Sequence, residues 1–386
     1  MLDHLRPCFA EINLDNLRHN IKQVKSLVGN KKIFGVIKAD AYGHGSIEVA
    51  RILREENVYG FAVAVITEAL ELRRASFNEP ILVLGYTPHT FADEIVKMNI
   101  TQTVFNYDLA EAISSEAKTQ GKVAKIHIKI DTGMGRLGYS DNDNIIEEIQ
   151  KIMDLPNIEV EGIFSHFSTA DESDKEFSYY QLNKFKQIIG ELEKEGINIE
   201  FKHIANSGAI VDIGESYFDA VRPGIILYGY YPSSQVNQGA LNLKPVMTLK
   251  SNVVYIKEVE EGTPISYGRT FIANKKMKIA TIPIGYADGY TRLLFGKASV
   301  IIGGIECRVV GKICMDQCMV DVSECRDVKV SDEVIIMGQT DSINMNAEVI
   351  ASRLDTISYE VLCMVSKRVP RVYIENNEIV RIKNFV

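Results

Sequence analysis

The chain has 386 residues, 46% of them hydrophobic and 24% charged, with a net charge of −8. That composition is globular, and the length calls for two domains or one barrel with an extension. The acidic balance without a lysine or arginine stripe excludes a nucleic-acid partner, and no apolar run reaches the length of a membrane span. "MLDHLRPCFAEINLDNL" carries charges where a signal peptide needs an apolar core, so a cytoplasmic location is expected. The six cysteines, Cys8, Cys307, Cys314, Cys318, Cys325 and Cys363, include no CxxC pair and read as reduced, packed thiols; no metal site is expected.

In chain order, the stretch up to about residue 12 reads as a strand packing with the C-terminal domain. Up to about residue 230, short apolar runs then alternate with amphipathic stretches. The runs at 33–38, 59–65, 81–84, 102–105, 124–130, 161–166, 201–204 and 219–222 are eight candidate strands, the count of a TIM-type barrel. The spacing of Phe177, Tyr180, Phe185, Ile188, Ile189 and Leu192 predicts a helix over 175–196 whose apolar side covers the barrel wall. Beyond the linker-like "YYPSSQVNQGALNLKP", short alternating strands broken by Gly and Pro form a mainly β region, with one helical segment at 346–352. The expected class is α/β: an N-terminal (β/α)8 TIM-type barrel over 1–235, then a mainly β domain over 236–386.

Chemistry in such a barrel sits at the carboxyl ends of its strands. There the chain places Lys38 with Tyr42 beyond it, Lys129 and Asp131 before Arg136, His166, Asn206-Ser207-Gly208, and Arg222-Pro223-Gly224. A strand-end lysine often only snorkels to water; with converging partners it becomes an amine able to form a Schiff base. In "AKIHIKID" the isoleucines share one parity and Lys125, His127, Lys129 and Asp131 the other, which points the polar set into the lumen. Lys125 and His127 fit a salt-bridged lumen layer, whereas Lys129 faces the "DTGMGRLG" turn and Arg136. The small-residue turns "ANSGA" and "RPGI" offer the Ser207 hydroxyl and the amides of Gly224 and Ile225 to a phosphate. Together with Lys38 they suggest a phosphorylated aldehyde cofactor, pyridoxal phosphate.

With these motifs in place, the chain resembles the pyridoxal-phosphate-dependent alanine racemases. It carries "VIKADAYGHG", "KIDTGMGRLG", "SHFSTAD", "ANSGA", "VRPGIILYG", "ISYGRTF", "PIGYADGYTR" and "GKICMDQCMVDV" in family order. The resemblance implies interconversion of L-alanine and D-alanine by two bases, Lys38 and Tyr267, supplying D-alanine for peptidoglycan. It implies that Lys38 holds pyridoxal 5'-phosphate, that Arg222 faces the pyridine nitrogen, and that Tyr42, Ser207, Gly224, Ile225 and Tyr359 bind the phosphate. Arg136 would contact the cofactor's phenolic oxygen and the substrate carboxylate, Lys129 would be a candidate for carbamylation, and His166 would link Tyr267 to Arg222. Tyr267, Met315 and Asp316 would come from the second subunit of a homodimer, with Met315 and Asp316 at the substrate. Asp171, Arg292, Ile357 and Lys312 would line the substrate channel; many members have arginine where Lys312 stands.

Three rivals share parts of this pattern. A barrel-type amino acid decarboxylase should carry a carboxylate where Arg222 stands, and a non-catalytic pyridoxal-phosphate carrier lacks the region that holds Tyr267. A serine or broad-specificity racemase is the alternative retained, because a small pocket rejects one extra hydroxyl only weakly, by ~100-fold.

Overall fold

The structure, a computed structural model, describes residues 6–140 and 143–384. Two compact units are present: residues 18–41 with 46–243, and residues 6–17, 42–45 and 244–384. Strand β1 (Cys8–Asn13) belongs to the second of these.

The first unit is built on eight parallel strands: β2 (Lys32–Val36), β3 (Gly60–Val63), β4 (Ile81–Val83), β5 (Thr101–Val104), β6 (Ala124–Lys129), β7 (Ile158–Phe164), β8 (Phe201–His203) and β9 (Ala220–Val221). Their order is β8-β7-β6-β5-β4-β3-β2-β9. The remaining seam is bridged by the Asp219 amide donating to the Lys202 carbonyl and the Arg222 amide donating to the Ala205 carbonyl, both at 3.0 Å. The sheet therefore closes into a barrel with helices in the connections, as expected. Each strand lies within one predicted run or overlaps it; β7 starts earlier than expected because Ile158 and Val160 pair with Ala124 and Ile126.

The helix Glu176–Lys194 packs differently from the expectation in its first turns. Leu182, Phe185, Ile188, Ile189 and Leu192 are buried, but Phe177 and Tyr180 are exposed and stack on each other at 5.6 Å between ring centroids. The inward positions there belong to Ser178 and Gln181. Gln181 Oε1 accepts from the Ser168 amide at 3.0 Å, and its Nε2 donates to the His166 carbonyl at 3.1 Å. Polar backbone beside the strand end needs an amide partner more than it needs a ring.

In the second unit the strands are β10 (Met247–Asn252), β11 (Tyr255–Val259), β12 (Pro264–Ile265), β13 (Phe271–Ile272), β14 (Met277–Ile282), β15 (Ser299–Ile302), β16 (Ile305–Val310), β17 (Cys318–Asp321), β18 (Glu333–Gln339), β19 (Asn344–Met345), β20 (Arg371–Glu375) and β21 (Glu378–Lys383). The main sheet runs β11-β14-β17-β16-β15-β18-β10-β1-β20-β21. β1 lies antiparallel to β10 and parallel to β20, with Ala10 opposite Leu249 and Arg371. The expected helical segment is the helix Ala347–Leu354, capped by Asn346 Oδ1 accepting from the amides of Glu348 and Val349. A further short helix, Ser358–Met364, is absent from the sequence expectation.

Candidate active site

β2 delivers a buried segment, Gly35 to Ile37, to the barrel rim, and Lys38 follows it partly buried. Lys38 does not end the strand as predicted. The chain beyond it turns left-handed: Ala39, Asp40, Ala41 and Tyr42 take φ of 52°, 51°, 56° and 54°. For residues with a Cβ this costs about 1–2 kcal/mol each, so neighbours must hold the turn in place. Glu68 does so, its Oε1 accepting from the Ala39 amide at 2.6 Å and its Oε2 from the amides of Ala64 and Val65 at 2.8 and 3.2 Å. Asp40 Oδ1 accepts from the Ser46 amide at 2.7 Å, and the Ala41 amide donates to the Ile37 carbonyl at 2.9 Å.

On β6 the predicted parity holds, with His127 and Lys129 buried in the lumen. Lys129 Nζ donates to the Ile130 carbonyl at 2.7 Å. Burial, and then the charges of Arg222 and Arg136, push its ammonium down to about 7 against the opposing pull of Asp131. Asp131 organises the following turn by accepting from the amides of Gly133, Gly135 and Arg136 at 2.9–3.1 Å. Burial alone would raise the Asp131 carboxyl, but the amides of Gly133 and Gly135 and the Lys129 charge hold it below its ordinary value. Arg136 therefore leaves a fixed turn with its side chain exposed.

Arg222, just past β9, is buried. Its Nη1 donates to His203 Nδ1 at 2.5 Å, and its Nη2 donates to the carbonyls of Ser165 and Ile204 at 2.8 and 3.1 Å and to His166 Nδ1 at 3.3 Å. Burial and nearby Arg136 lower it to about 9, so it stays protonated at neutral pH. His166 is held well below its ordinary value by burial and then by the charges of Arg222, Lys129, Arg136 and Lys38, so its ring is neutral. The Nε–H of Arg222 meets no acceptor among the described residues, and neither do the amides of Ser207 and Ile225. Ser207 Oγ accepts from the Gly224 amide at 2.9 Å, which draws these two turns together. A buried cationic donor and a pair of unspent amides fit an anionic, nitrogen-bearing ring such as pyridoxal phosphate. Asp171 is half-buried on the loop after β7.

The second unit arranges the remaining predicted residues. Tyr42 is buried and its ring lies 5.9 Å from that of half-buried Tyr359. Arg371 Nε donates to the Gly43 carbonyl at 2.9 Å, and a Cβ at Gly45 (φ +97°) would overlap the Tyr373 hydroxyl, so the tight 42–45 loop is fixed. Tyr267 stands on the turn between β12 and β13, anchored by Ile265 and Phe271 in a cluster with Val259, Ala273, Met277, Ile279 and Val310. Its side chain is 68% exposed. Ser266 Oγ donates to the Lys312 carbonyl at 2.5 Å, tying that turn to the "GKICMDQC" segment. There Met315 and Asp316 are exposed, and Asp316 accepts from Arg368 Nη2 at 2.8 Å. Arg368 Nε in turn lies 3.3 Å from buried Asp288, which also pairs with Arg6. Arg292 and Ile357 are exposed and Lys312 is half-buried.

Glu68, Glu161, whose Oε2 lies 3.3 Å from His127 Nε2, and His203 carry much of this geometry and were not singled out from sequence. The signal for the last two is a titratable residue inside a strand of a barrel that buries both faces, "IEVEGIF" and "FKHIAN".

Fold and site together define a protein of the barrel-plus-β-domain class with a cationic, anion-binding barrel rim. Residues 12–232 match the family described as "Alanine racemase, N-terminal domain" and residues 246–373 match "Alanine racemase, C-terminal domain". The chain is 54% identical over 387 residues to an alanine racemase of Clostridium novyi, and 52% identical over 386 residues to alanine racemase 1 of Clostridium acetobutylicum, each comparison spanning all of both chains. The solved alanine racemase of Clostridium difficile 630 superposes with a TM-score of 0.95 at 48% identity over 99% of each chain. That of Bacillus anthracis with bound L-Ala-P gives 0.93 at 34% identity, over 99% of this chain and 98% of the other. The chain belongs to the alanine racemase family. It is an isomerase that interconverts L-alanine and D-alanine, and the serine or broad-specificity alternative is not favoured, since these relatives are all named for alanine.

Proposed function

We propose that racemisation here uses pyridoxal 5'-phosphate held covalently on Lys38, with Lys38 and the Tyr267 of a second subunit as the two bases. The observation that carries the cofactor assignment is buried Arg222, whose Nε–H is left unspent while its other nitrogens are fixed on four acceptors. The unspent amides of Ser207 and Ile225 would hold the phosphate, joined by Gly224, whose amide is given to Ser207 Oγ, and by Tyr42 and Tyr359 on the strength of the family motifs. When bound, the cofactor supplies an electron sink that acidifies the Cα–H of the amino acid it carries.

The residues divide the remaining work. Lys38 and Tyr267 meet Cα from opposite faces, one removing a proton and the other returning one, because a single lysine cannot serve both faces of a planar carbon efficiently. Arg222 offers the ring nitrogen a hydrogen bond but keeps its own proton, which limits how far that nitrogen withdraws electrons. Neutral His166 accepts from Arg222 on Nδ1, so its proton sits on Nε2 and is available to the oxygen of Tyr267. Arg136 orients the substrate carboxylate, with Met315 and Asp316 from the partner subunit beside it. Asp171, Arg292, Lys312 and Ile357 are assigned to the access channel. No helix among the described residues is long and apolar enough to cross a membrane, and we place the enzyme in the cytoplasm, supplying D-alanine for peptidoglycan.

Borohydride treatment of the purified protein followed by peptide mapping tests the cofactor assignment: the fixed label is expected on Lys38, and a label on another lysine would refute it. In deuterated water, Tyr267→Phe is expected to slow Cα exchange from L-alanine far more than from D-alanine. Equal losses for both enantiomers would defeat the two-base scheme.

A further inference from the structure

Beneath Arg222 the barrel lumen holds a file of polar side chains, buried except for Lys125 at its outer end, that the racemisation scheme does not use. Lys125 Nζ donates to Glu161 Oε1 at 2.6 Å, and Glu161 Oε2 lies 3.3 Å from His127 Nε2. His127 Nδ1 lies 2.9 Å from His203 Nε2, and His203 Nδ1 lies 2.5 Å from Arg222 Nη1. Glu161 is 4% exposed, while His127 and His203 are fully buried. The file thus crosses three strands, β7, β6 and β8, before it reaches the guanidinium.

Only one order of protons satisfies every link. Burial raises the Glu161 carboxyl, but His127 and Lys125 more than offset this and leave it below its ordinary value, so it is ionised and can only accept. His127 must then carry its proton on Nε2. Burial lowers both imidazoles, His127 despite Glu161 and His203 together with the Arg222 charge, so each is neutral with one bare nitrogen. The bare Nδ1 of His127 requires a proton on His203 Nε2, and the bare Nδ1 of His203 is left to accept from Arg222. The opposite order would set an N–H of His203 against an N–H of Arg222.

Packing fixes the rings as well as the protons. The His203 ring stacks on Phe164 at 4.8 Å with a 5° interplanar angle, and His127 lies 6.3 Å from Phe201 at 19°. A Cβ at Gly162 would come within 2.6 Å of His127 ring atoms, so glycine at that position makes the room the imidazole occupies. Neither ring can flip without displacing an aromatic neighbour, and buried polar groups left unpaired are costly.

We infer that Glu161 and His127 are positioning residues, which fix the His203 tautomer that accepts from Arg222 and so aim the guanidinium at the cofactor nitrogen. The inference rests on the assignment of Arg222 to the cofactor proposed above. It differs from a structural ion pair in depending on an acceptor at residue 161 and not on its charge. Glu161→Gln keeps an acceptor for His127 Nε2–H, whereas Glu161→Leu removes it.

The test uses holoenzyme labelled with 15N-histidine, in which long-range nitrogen–proton spectra report the tautomer of each ring. His127 and His203 are both expected as Nε2–H in the wild type. In Glu161→Leu only the Arg222 donor still favours that order, so both rings are expected to become mixtures of Nε2–H and Nδ1–H, with the dissociation constant for pyridoxal phosphate raised about tenfold, the cost of roughly one buried hydrogen bond. Glu161→Gln should stay within about twofold of wild type. Gly162→Ala, which crowds His127, should behave like Glu161→Leu. An Nδ1–H tautomer at either ring in the wild type would overturn the inference even if no variant folds, and so would Glu161→Gln losing as much affinity as Glu161→Leu. Failure of the wild type to bind pyridoxal phosphate would defeat the cofactor assignment, a separate outcome from the tautomer result.

Discussion

Lys129 illustrates how far a single environment can move a single amine. With its ammonium lowered to about 7 by burial and then by Arg222 and Arg136, much of it is neutral at physiological pH. A neutral amine adds to carbon dioxide to give a carbamate and one proton, which would place an anion beside Arg136 able to orient it. We therefore expect carbamate on Lys129 to rise with bicarbonate, and to rise with pH through the neutral range. The measurement is the carbamate resonance of protein in 13C-bicarbonate, absent from Lys129→Ala, which should bind substrate more weakly until small anions partly restore it. An unmodified lysine with full activity would remove the role. The neutral histidines make a second residue-scale prediction. Because burial lowers His127, His166 and His203 in the folded state, the unfolded chain takes up more protons as pH falls below ~6.5. Their contribution is intact above that pH and is lost on acidification, each adding a slope of about 1.4 kcal/mol per pH unit. Urea midpoints of His203→Gln should fall less steeply than wild type between pH ~6.5 and ~5. Equal slopes would mean that His203 is not held neutral.

Among the elements, the left-handed turn after β2 is the most expensive piece of local geometry near the site, and its cost can be tested. Ala39 is exposed at φ 52°, so glycine there relieves backbone strain but gains freedom in the unfolded chain. The balance favours Ala39→Gly by about 0.5–1 kcal/mol in chemical denaturation; a destabilised variant would show that the strain is smaller than the geometry implies. Glu68→Ala removes the acceptor of three amides and should cost about 2 kcal/mol while lowering kcat, since Lys38 stands directly before the released turn. None of this was legible in "KADAY", whose residues carry no glycine to announce a positive φ and whose partner, Glu68, lies 29 residues beyond Ala39. The barrel strands were legible, because strands buried on both faces read as apolar runs and the polar parity of β6 survives into the lumen. The Glu161–His127–His203 file was not, because strand register decides which lumen residues meet, and no periodicity within one strand contains it. Phe177 and Tyr180 show the converse, apolar residues at helical spacing that the structure leaves outside because Gln181 is needed within.

For the whole molecule, the question is why Tyr267, proposed above as the second base, is so exposed. Tyr267, Leu293, Met315 and Ile357 are 68%, 71%, 52% and 57% exposed in the single chain, an apolar set that one chain alone leaves in water. A free phenol near pKa ~10 is also a poor base at neutral pH until positive charge or a proton relay surrounds it. Both points are met if the Tyr267 of one protomer serves the Lys38 of its partner in a twofold dimer with two equivalent sites. Lys38→Ala and Tyr267→Phe homodimers should then each be close to inactive, for every site carries one lesion. When the two variants are unfolded together and refolded, random pairing makes half of the dimers mixed. Each mixed dimer holds one site with both native bases and one with neither, so activity should return to about one quarter of wild type. If Lys38 and Tyr267 act within the same chain, mixing leaves one lesion in every site. The refolded mixture would then stay as inactive as its parents, and the shared-site proposal would fall.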